Sequence, residues 1–231
     1  MLNETIIIKI QQRLNKLSSN DFQNLASWQI LEAFNTAQLD GTRIALKDSA
    51  DVGTMAIEDF QSLLVEKSDF LFFDTGDSFQ TSTDAWPTNF LRNNRLDLSV
   101  VSTCCSTPKK MVAYLAEESN VPILLNDVHR KPNYDWGETF FVLSGNTIKI
   151  YHSGEFTIDA CNYIYYREPR RVQIAGVRDV YQNAIPTTNV TCEFSDNVTE
   201  VFIFGAAALL AGDMGSFEQM GRMITEQQRL K

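Results

Sequence analysis

The side chains able to do nucleophilic or metal chemistry in this chain are few: Cys104, Cys105, Cys161 and Cys192, with His129 and His152. A thiol hydrolase needs a cysteine made nucleophilic by a histidine that an acid orients. Cys105, His129 or His152, and Asp127 or Asp159 supply those residue types, but nothing in their spacing is diagnostic. Neighbouring Cys104 and Cys105 cannot easily bridge each other, and no C-x-x-C pair meets a second ligand pair, so a structural zinc site lacks its spacing. The cysteines read as free, mostly buried thiols. Acidic pairs occur in LAEESN and DTGDSF, yet 29 Asp and Glu residues make chance pairs unavoidable, and a glycosidase would have nothing more behind it. Neither G-x-G-x-x-G nor G-x-x-x-x-G-K occurs. The chain reads as a non-enzyme, without cofactor or bound metal.

The stretch CNYIYYREPRRVQIAG, residues 161–176, offers a different kind of chemistry. Aromatic residues on a strand beside arginines occur in single-strand binders, where bases stack on the rings. In a regular strand, however, Tyr163 and Tyr165 share one face while Ile164 and Tyr166 share the other, which splits such a platform. The formal charge of -9, from 20 basic against 29 acidic side chains, also argues against general nucleic-acid binding, which draws most of its affinity from phosphate neutralisation. Tyrosine and arginine are equally the residues enriched in protein–protein interfaces. Tyr163, Tyr165, Arg167, Arg170 and Arg171 are therefore read as an assembly surface. Arg170 and Arg171 could each meet a carboxylate of a neighbouring subunit in a bidentate pair. A sheet edge with ordinary solvated arginines is the plainer alternative.

The elements that must position these residues follow from periodicity. Ile6, Ile10, Leu14 and Leu17 recur at helical spacing, and Asn20 or Asp21 offers the next N-cap. Residues 21–41 read as a second helix with a stripe of Phe22, Ala26, Ile30, Phe34 and Ala37, and Gly41 as its stop. Residues 55–67 read as a third helix. From Asp69 the pattern turns to strands: FLFF, RLDLSVVSTCC and VPILLND, with KKMVAYLAEESN as a short helix among them. TFFVL, SGN and TIKIY form a hairpin centred on Gly145, and FTIDACNYIYYREP pairs as the third strand of a meander, ended by Pro169. RRVQIAG is a candidate edge strand. The helical period returns in VTEVFIFGAAALLAGD, where Asn197 precedes Glu200 at capping-box distance, and Ser216 caps a final helix.

The order is helices, mostly strands, then helices. The expected fold is α+β: a helical core of residues 1–68 with 195–231, and an antiparallel β-rich insertion of residues 69–194. At 231 residues and a mean hydropathy of -0.18 the chain reads as soluble and globular. VFIFGAAALLAG is too short to span a bilayer, and MLNETIIIKIQQRL lacks the basic n-region of a signal peptide. The expected compartment is a cytosol, with no membrane partner.

Three segments resemble the head–tail connector (adaptor or ring) proteins of tailed bacteriophages, most of all a ring protein of the crAss-like phages. Residues 10–44, IQQRLNKLSSNDFQNLASWQILEAFNTAQLDGTRI, are similar to their N-terminal helical pair. Residues 138–176 resemble their β-rich middle, and residues 190–213, VTCEFSDNVTEVFIFGAAALLAGD, the Ala-rich helix that ends many connector subunits. Gly41 departs from the large residue, such as tryptophan, expected there in relatives. The resemblance implies a homo-oligomeric virion ring, commonly of twelve subunits, made in the host bacterial cytoplasm and placed at the head–tail junction. It would contact the portal protein and neighbouring neck or tail rings, and genomic DNA would pass through its channel without sequence-specific binding. A stopper or tail-terminator ring is the alternative within the same class. The resemblance also offers the C-terminal EQQRLK as a candidate for a tail that orders on assembly, which adds Gln228 and Arg229 to the residues read as an assembly interface.

Overall fold

The computed structural model describes residues 1–15, 25–48, 57–102, 105–213, 215 and 217–230. Leu17, the Asn20 or Asp21 cap, Phe22, Cys104 and the Ser216 cap lie outside the described residues. The chain is mixed α and β, and it divides into two compact units: Met1–Leu63 with Glu168–Lys231, and Leu64–Arg167.

The second unit is one sheet of eight strands: β1 (Leu64–Lys67), β2 (Phe72–Asp74), β3 (Ser78–Thr81), β4 (Phe90–Ser102), β5 (Cys105–Leu115), β6 (Glu138–Ser144), β7 (Thr147–Tyr151) and β8 (Phe156–Arg167), in the order β1-β8-β4-β5-β6-β7-β3-β2. Every pair is antiparallel except β5 with β6. Period-2 alternation sends Leu96, Leu98 and Val100 of β4, Met111 and Ala113 of β5, and Cys161, Tyr163 and Tyr165 of β8 into one core. The sheet coils enough to bring Phe79 of β3 within 6.3 Å, ring to ring, of Phe156 at the start of β8. Register shifts along β4 and β8 supply part of that bend.

The hairpin of residues 138–151 forms as its alternation predicts, with Ser144 opposite Thr147, so its loop has two residues rather than three. Gly145 takes the first loop position at φ 58, where a side chain would be strained. Three other expectations are corrected. The strand of residues 156–167 does not complete a meander: β7 gives its second edge to β3, and β8 pairs with β4 and β1. The 13-residue β4 matches the 12-residue β8 apolar side to apolar side, Leu96 opposite Tyr163 and Leu98 opposite Cys161, a longer partner than the 5-residue β7. Residues 109–115 are not helical but the end of β5, because Met111 and Ala113 turn inward while Val112 and Tyr114 turn out. Residues 121–126 are not a strand but a short helix, α3 (Val121–Asn126), with Pro122 in its first turn. Val121 there packs on Phe140 and Val142. Those two residues face away from the inward Phe141, which is why TFFVL is apolar on both faces.

The first unit holds α1 (Asn3–Asn15), α2 (Ser27–Asp48), α4 (Asp196–Asp213) and α5 (Phe217–Leu230). α4 packs against α1, α2 and α5, and so is buried nearly all round from Val198 to Ala211. Gly41 does not stop α2, which runs seven residues further. A Cβ at Gly41 would lie 2.7 Å from the buried ring of Phe202, so glycine is there for close approach. The third expected helix is instead a 3-10 turn, Ile57–Leu63, followed by β1, whose residues pair with Tyr163–Tyr166. At the start of α4 the hydroxyl of Ser195, not Asn197, accepts from the Val198 N–H at 3.5 Å. Glu200 is turned away to Lys9 and Arg13.

The unit boundaries differ accordingly from 68/69 and 194/195. Residues 64–67 join the sheet, and residues 168–194 join the helices. Asn35 of α2 clamps Val172 by donating to its carbonyl at 3.1 Å and accepting its N–H at 2.7 Å, and Gln38 donates to the Arg170 carbonyl at 3.0 Å. Held this way on α2, RRVQIAG forms no sheet edge. Its only ladder element among the described residues is the Gln173–Val190 bridge.

Candidate assembly surfaces

Tyr163 and Tyr165 are not on the surface. Both sit inside the coiled sheet, their rings 5.6 Å apart, in a cluster with Phe70, Trp86 and Phe90. Burial raises both phenols, Tyr163 well above the ordinary tyrosine range; the neighbouring phenol adds to this for Tyr163, and Arg167 partly opposes it for Tyr165. Rings so enclosed cannot stack on bases, and they cannot meet a neighbouring subunit. The inward face was the apolar one because Leu96 and Leu98 lie opposite on β4.

Arg167 ends β8, half-buried. Arg170 is exposed, with its backbone N–H donated to Glu193 at 2.8 Å. Arg171 already has its carboxylates within its own chain: Nη2 lies 2.5 Å from Glu32, Nε lies 3.5 Å from Asp179, and the guanidinium covers the Tyr181 ring at 4.5 Å. Gln228 and Arg229 lie on the exposed side of α5, and Arg229 pairs with Glu226 at 2.8 Å. Of the seven residues read as an interface, Arg170, Gln228 and Arg229 are thus fully presented to solvent.

Two carboxylates tie the helical unit. Burial alone raises the Glu200 carboxyl, but hydrogen bonds from Lys9 and Arg13 and their charges outweigh it, and the net direction is down. Asp179 is likewise lowered: burial raises it, and hydrogen bonds from Gln173 and the Gln182 backbone, with Arg171 beside it, prevail. A carboxyl whose folded value lies below its unfolded one contributes stability above the unfolded value, and that contribution is lost as pH falls through the folded one. Glu200→Gln is expected to cost about 1–2 kcal/mol at neutral pH and to flatten the acid limb of stability, read by urea unfolding from pH 7 to pH 3. A wild-type acid limb on the variant would disprove the assignment.

The thiol chemistry fares differently. Cys161 faces the sheet core, where burial first and Asp97 second push its thiol up to about 12. Cys192 is also buried, its sulfur 3.4 Å from the Thr199 hydroxyl. Neither is expected to react with iodoacetamide at pH 8 until urea unfolds the chain, when mass spectrometry should find both alkylated. The side chain of Cys105 lies outside the described residues. His129 stacks on Trp136 and meets Asp127 through its backbone N–H, not its ring. His152 stacks on Phe79 at 4.3 Å, with Nε2 3.4 Å from Asp74. Asp159 accepts from Ser99 at 3.4 Å. None of these contacts joins a histidine ring to Asp127 or Asp159, the acids that the hydrolase reading named. Among the described residues no three potential metal ligands gather, and no helix is long and apolar enough to cross a membrane.

Apolar side chains do gather where water reaches them. On the sheet unit, Val112, Tyr114 and Leu115 of β5, Ile123 of α3, Val128 and Trp136 are all exposed. Tyr114, Leu115 and Ile123 of this set line a cleft of about 610 Å³ with Leu124 and Phe140, and Glu117, Glu138, His129 and Arg130 form its polar side. On the helical unit, Ile44, Leu209 and Ile224 border a shallower groove of about 210 Å³ between α2, α4 and α5, floored by Ala37, Gly41, Gly205 and Ala208. Isolated exposed hydrophobics are ordinary, but contiguous ones mark interaction surfaces. Sequence periodicity could not find the cleft, because its walls come from β5, β6 and α3, which only folding brings together. No protein-family model matches the chain, and no curated protein matches it.

Proposed function

We propose that the chain is a structural subunit of a head–tail connector ring in a tailed bacteriophage, seated below the portal and continuing the DNA channel into the tail, with no catalytic role. The observation that carries this reading is the presence of two unlike apolar surfaces, the β5–α3 cleft and the α2–α4–α5 groove. A closed ring is built from heterologous contacts, in which one surface of a subunit meets a different surface of the next. A net charge of -9 suits a channel that DNA must traverse without sticking. In this reading helices from both ends of the chain form one bundle that carries the sheet as an insertion, and twelve copies make the ring.

The test is native mass spectrometry of the purified chain, alone and mixed with a dodecameric portal protein from a related phage. Ring-sized species that appear only with the portal are the expected result. A ring that forms without the portal and ignores it would move the subunit to a stopper or tail-terminator position. A monomer under both conditions would sink the connector reading.

A further inference from the structure

Residues 175–189 form a surface loop that is locked from within. Asp179 and Ala184 exchange backbone hydrogen bonds at 2.8 and 3.1 Å, and Asn183 is the one described residue other than glycine at positive φ, 49°. The Asp179 side chain, 5% exposed, accepts the N–H groups of Tyr181 and Gln182 at 3.0 and 3.2 Å and the Gln173 amide at 3.1 Å. Gly176 donates to the Pro186 carbonyl at 3.0 Å, and Ala175 to the Asn189 side chain at 2.8 Å. A loop held by so many bonds costs little further ordering when it binds. Yet its tip points apolar side chains at water: Val180, Ile185, and Tyr181 at 75% exposure, with only Arg171 against its ring.

We propose that this loop is the projecting half of the contact between copies, and that it inserts Tyr181 and Ile185 of one copy into the β5–α3 cleft of the next. The inference rests on the ring reading above and names its interface. The cleft, at about 610 Å³, has room for more than one large side chain, and its wall residue Ile123 is 67% exposed. Apolar surface extends beyond the lining: exposed Val112 shares the outward face of β5 with Tyr114, and exposed Trp136 stacks on His129, a wider footprint than a small ligand would cover. Charge agrees as well. The exposed cation beside the loop tip is Arg178, held toward the tip by Asn183 at 2.5 Å; the cleft carries two carboxylates, Glu117 and Glu138, against one guanidinium, Arg130, which has Asp127 at 3.8 Å. Loop and cleft are different surfaces, so a head-to-tail contact leaves a free loop on one side and a free cleft on the other, and closure of a ring satisfies all of them.

The experiment places p-benzoylphenylalanine at position 181 of the full chain, mixes nitrogen-15-labelled with unlabelled copies, and irradiates them alone and with the portal protein. Heavy-to-light cross-links from position 181 to peptides of residues 112–140 are expected. Tyr181→Ser and, separately, Ile123→Glu are each expected to cut the ring fraction at least tenfold while leaving the thermal melt unchanged, since both side chains are exposed. Heavy-to-light cross-links to any other surface, or undiminished rings in both variants, would overturn this interface and leave the ring reading standing. Wild-type chain that stays monomeric in both conditions would overturn the ring reading, and this interface with it.

Discussion

Tyr163→Ala is expected to lower stability by about 3–5 kcal/mol, whereas Tyr163→Phe is expected to leave it unchanged or raise it by up to about 1 kcal/mol. The ring is wholly buried and touches Phe70, Trp86, Phe90 and Tyr165, so its truncation removes aromatic contacts at the Phe90 end of the long β4–β8 pairing and leaves a cavity. The hydroxyl behaves oppositely. It is buried with no hydrogen-bond partner among the described residues, so the folded state bears its desolvation without compensation. Urea unfolding followed by near-ultraviolet circular dichroism would separate the two substitutions. Equal losses for both would mean that the hydroxyl has a partner and that the aromatic cluster is not the source of the stability. Any role of this residue in binding single-stranded DNA predicts the reverse pattern, a folded Tyr163→Ala protein with lost affinity.

Gly41 is the site of the second large effect. A Cβ there would approach Phe202 Cε1 to 2.7 Å, and Phe202 is itself wholly buried among Ile203, Ala206 and their neighbours on α4. Gly41→Ala gains about 1 kcal/mol of helix propensity in the middle of α2 but must displace a packed ring, which costs about 1–3 kcal/mol. A net loss of about 1 kcal/mol is expected for alanine, and more than about 3 kcal/mol for Gly41→Trp. Phe202→Leu should relieve part of the alanine penalty, so the double variant should be more stable than the sum of the single losses implies. Strict additivity would show that the ring is not what excludes a side chain at position 41. The large residue expected here from the connector resemblance is absent because its volume is already filled from α4.

Local pattern made some of this protein legible. The alternation of Ile148 and Ile150 with Thr147 and Lys149, beside a turn glycine, specified the β6–β7 hairpin, because both partners lie within fifteen residues and the pairing needs no distant information. The stripes of Ile6, Ile10 and Leu14, and of Ile30 and Phe34, specified α1 and α2 for the same reason. Short apolar runs were different. KKMVAYL and VPILLN each fit helix or strand over so few residues, and the choice fell to whichever neighbour could cover them: β4 and β6 for the first, the outer face of β6 for the second.

The candidate interface shows the same division. Period 2 put Tyr163 and Tyr165 on one face of β8, which sequence alone established, but not whether that face meets water or core. That was decided by β4, whose Leu96 and Leu98 lie opposite Tyr163 and Cys161 on the same face. Arg171 reads as a free cation until Glu32, 139 residues away, and Asp179 of the following loop are brought beside it. The loop that exposes Tyr181 and the cleft under Ile123 carry no periodic signal at all, since exposure is a property of what fails to cover a residue. Residue type and spacing therefore determined the longer periodic elements and which side chains share a face. Which faces are spent inside the molecule, and which remain to meet another, was set only by tertiary contacts. Burial depends on partners distant in sequence, and periodicity does not encode them.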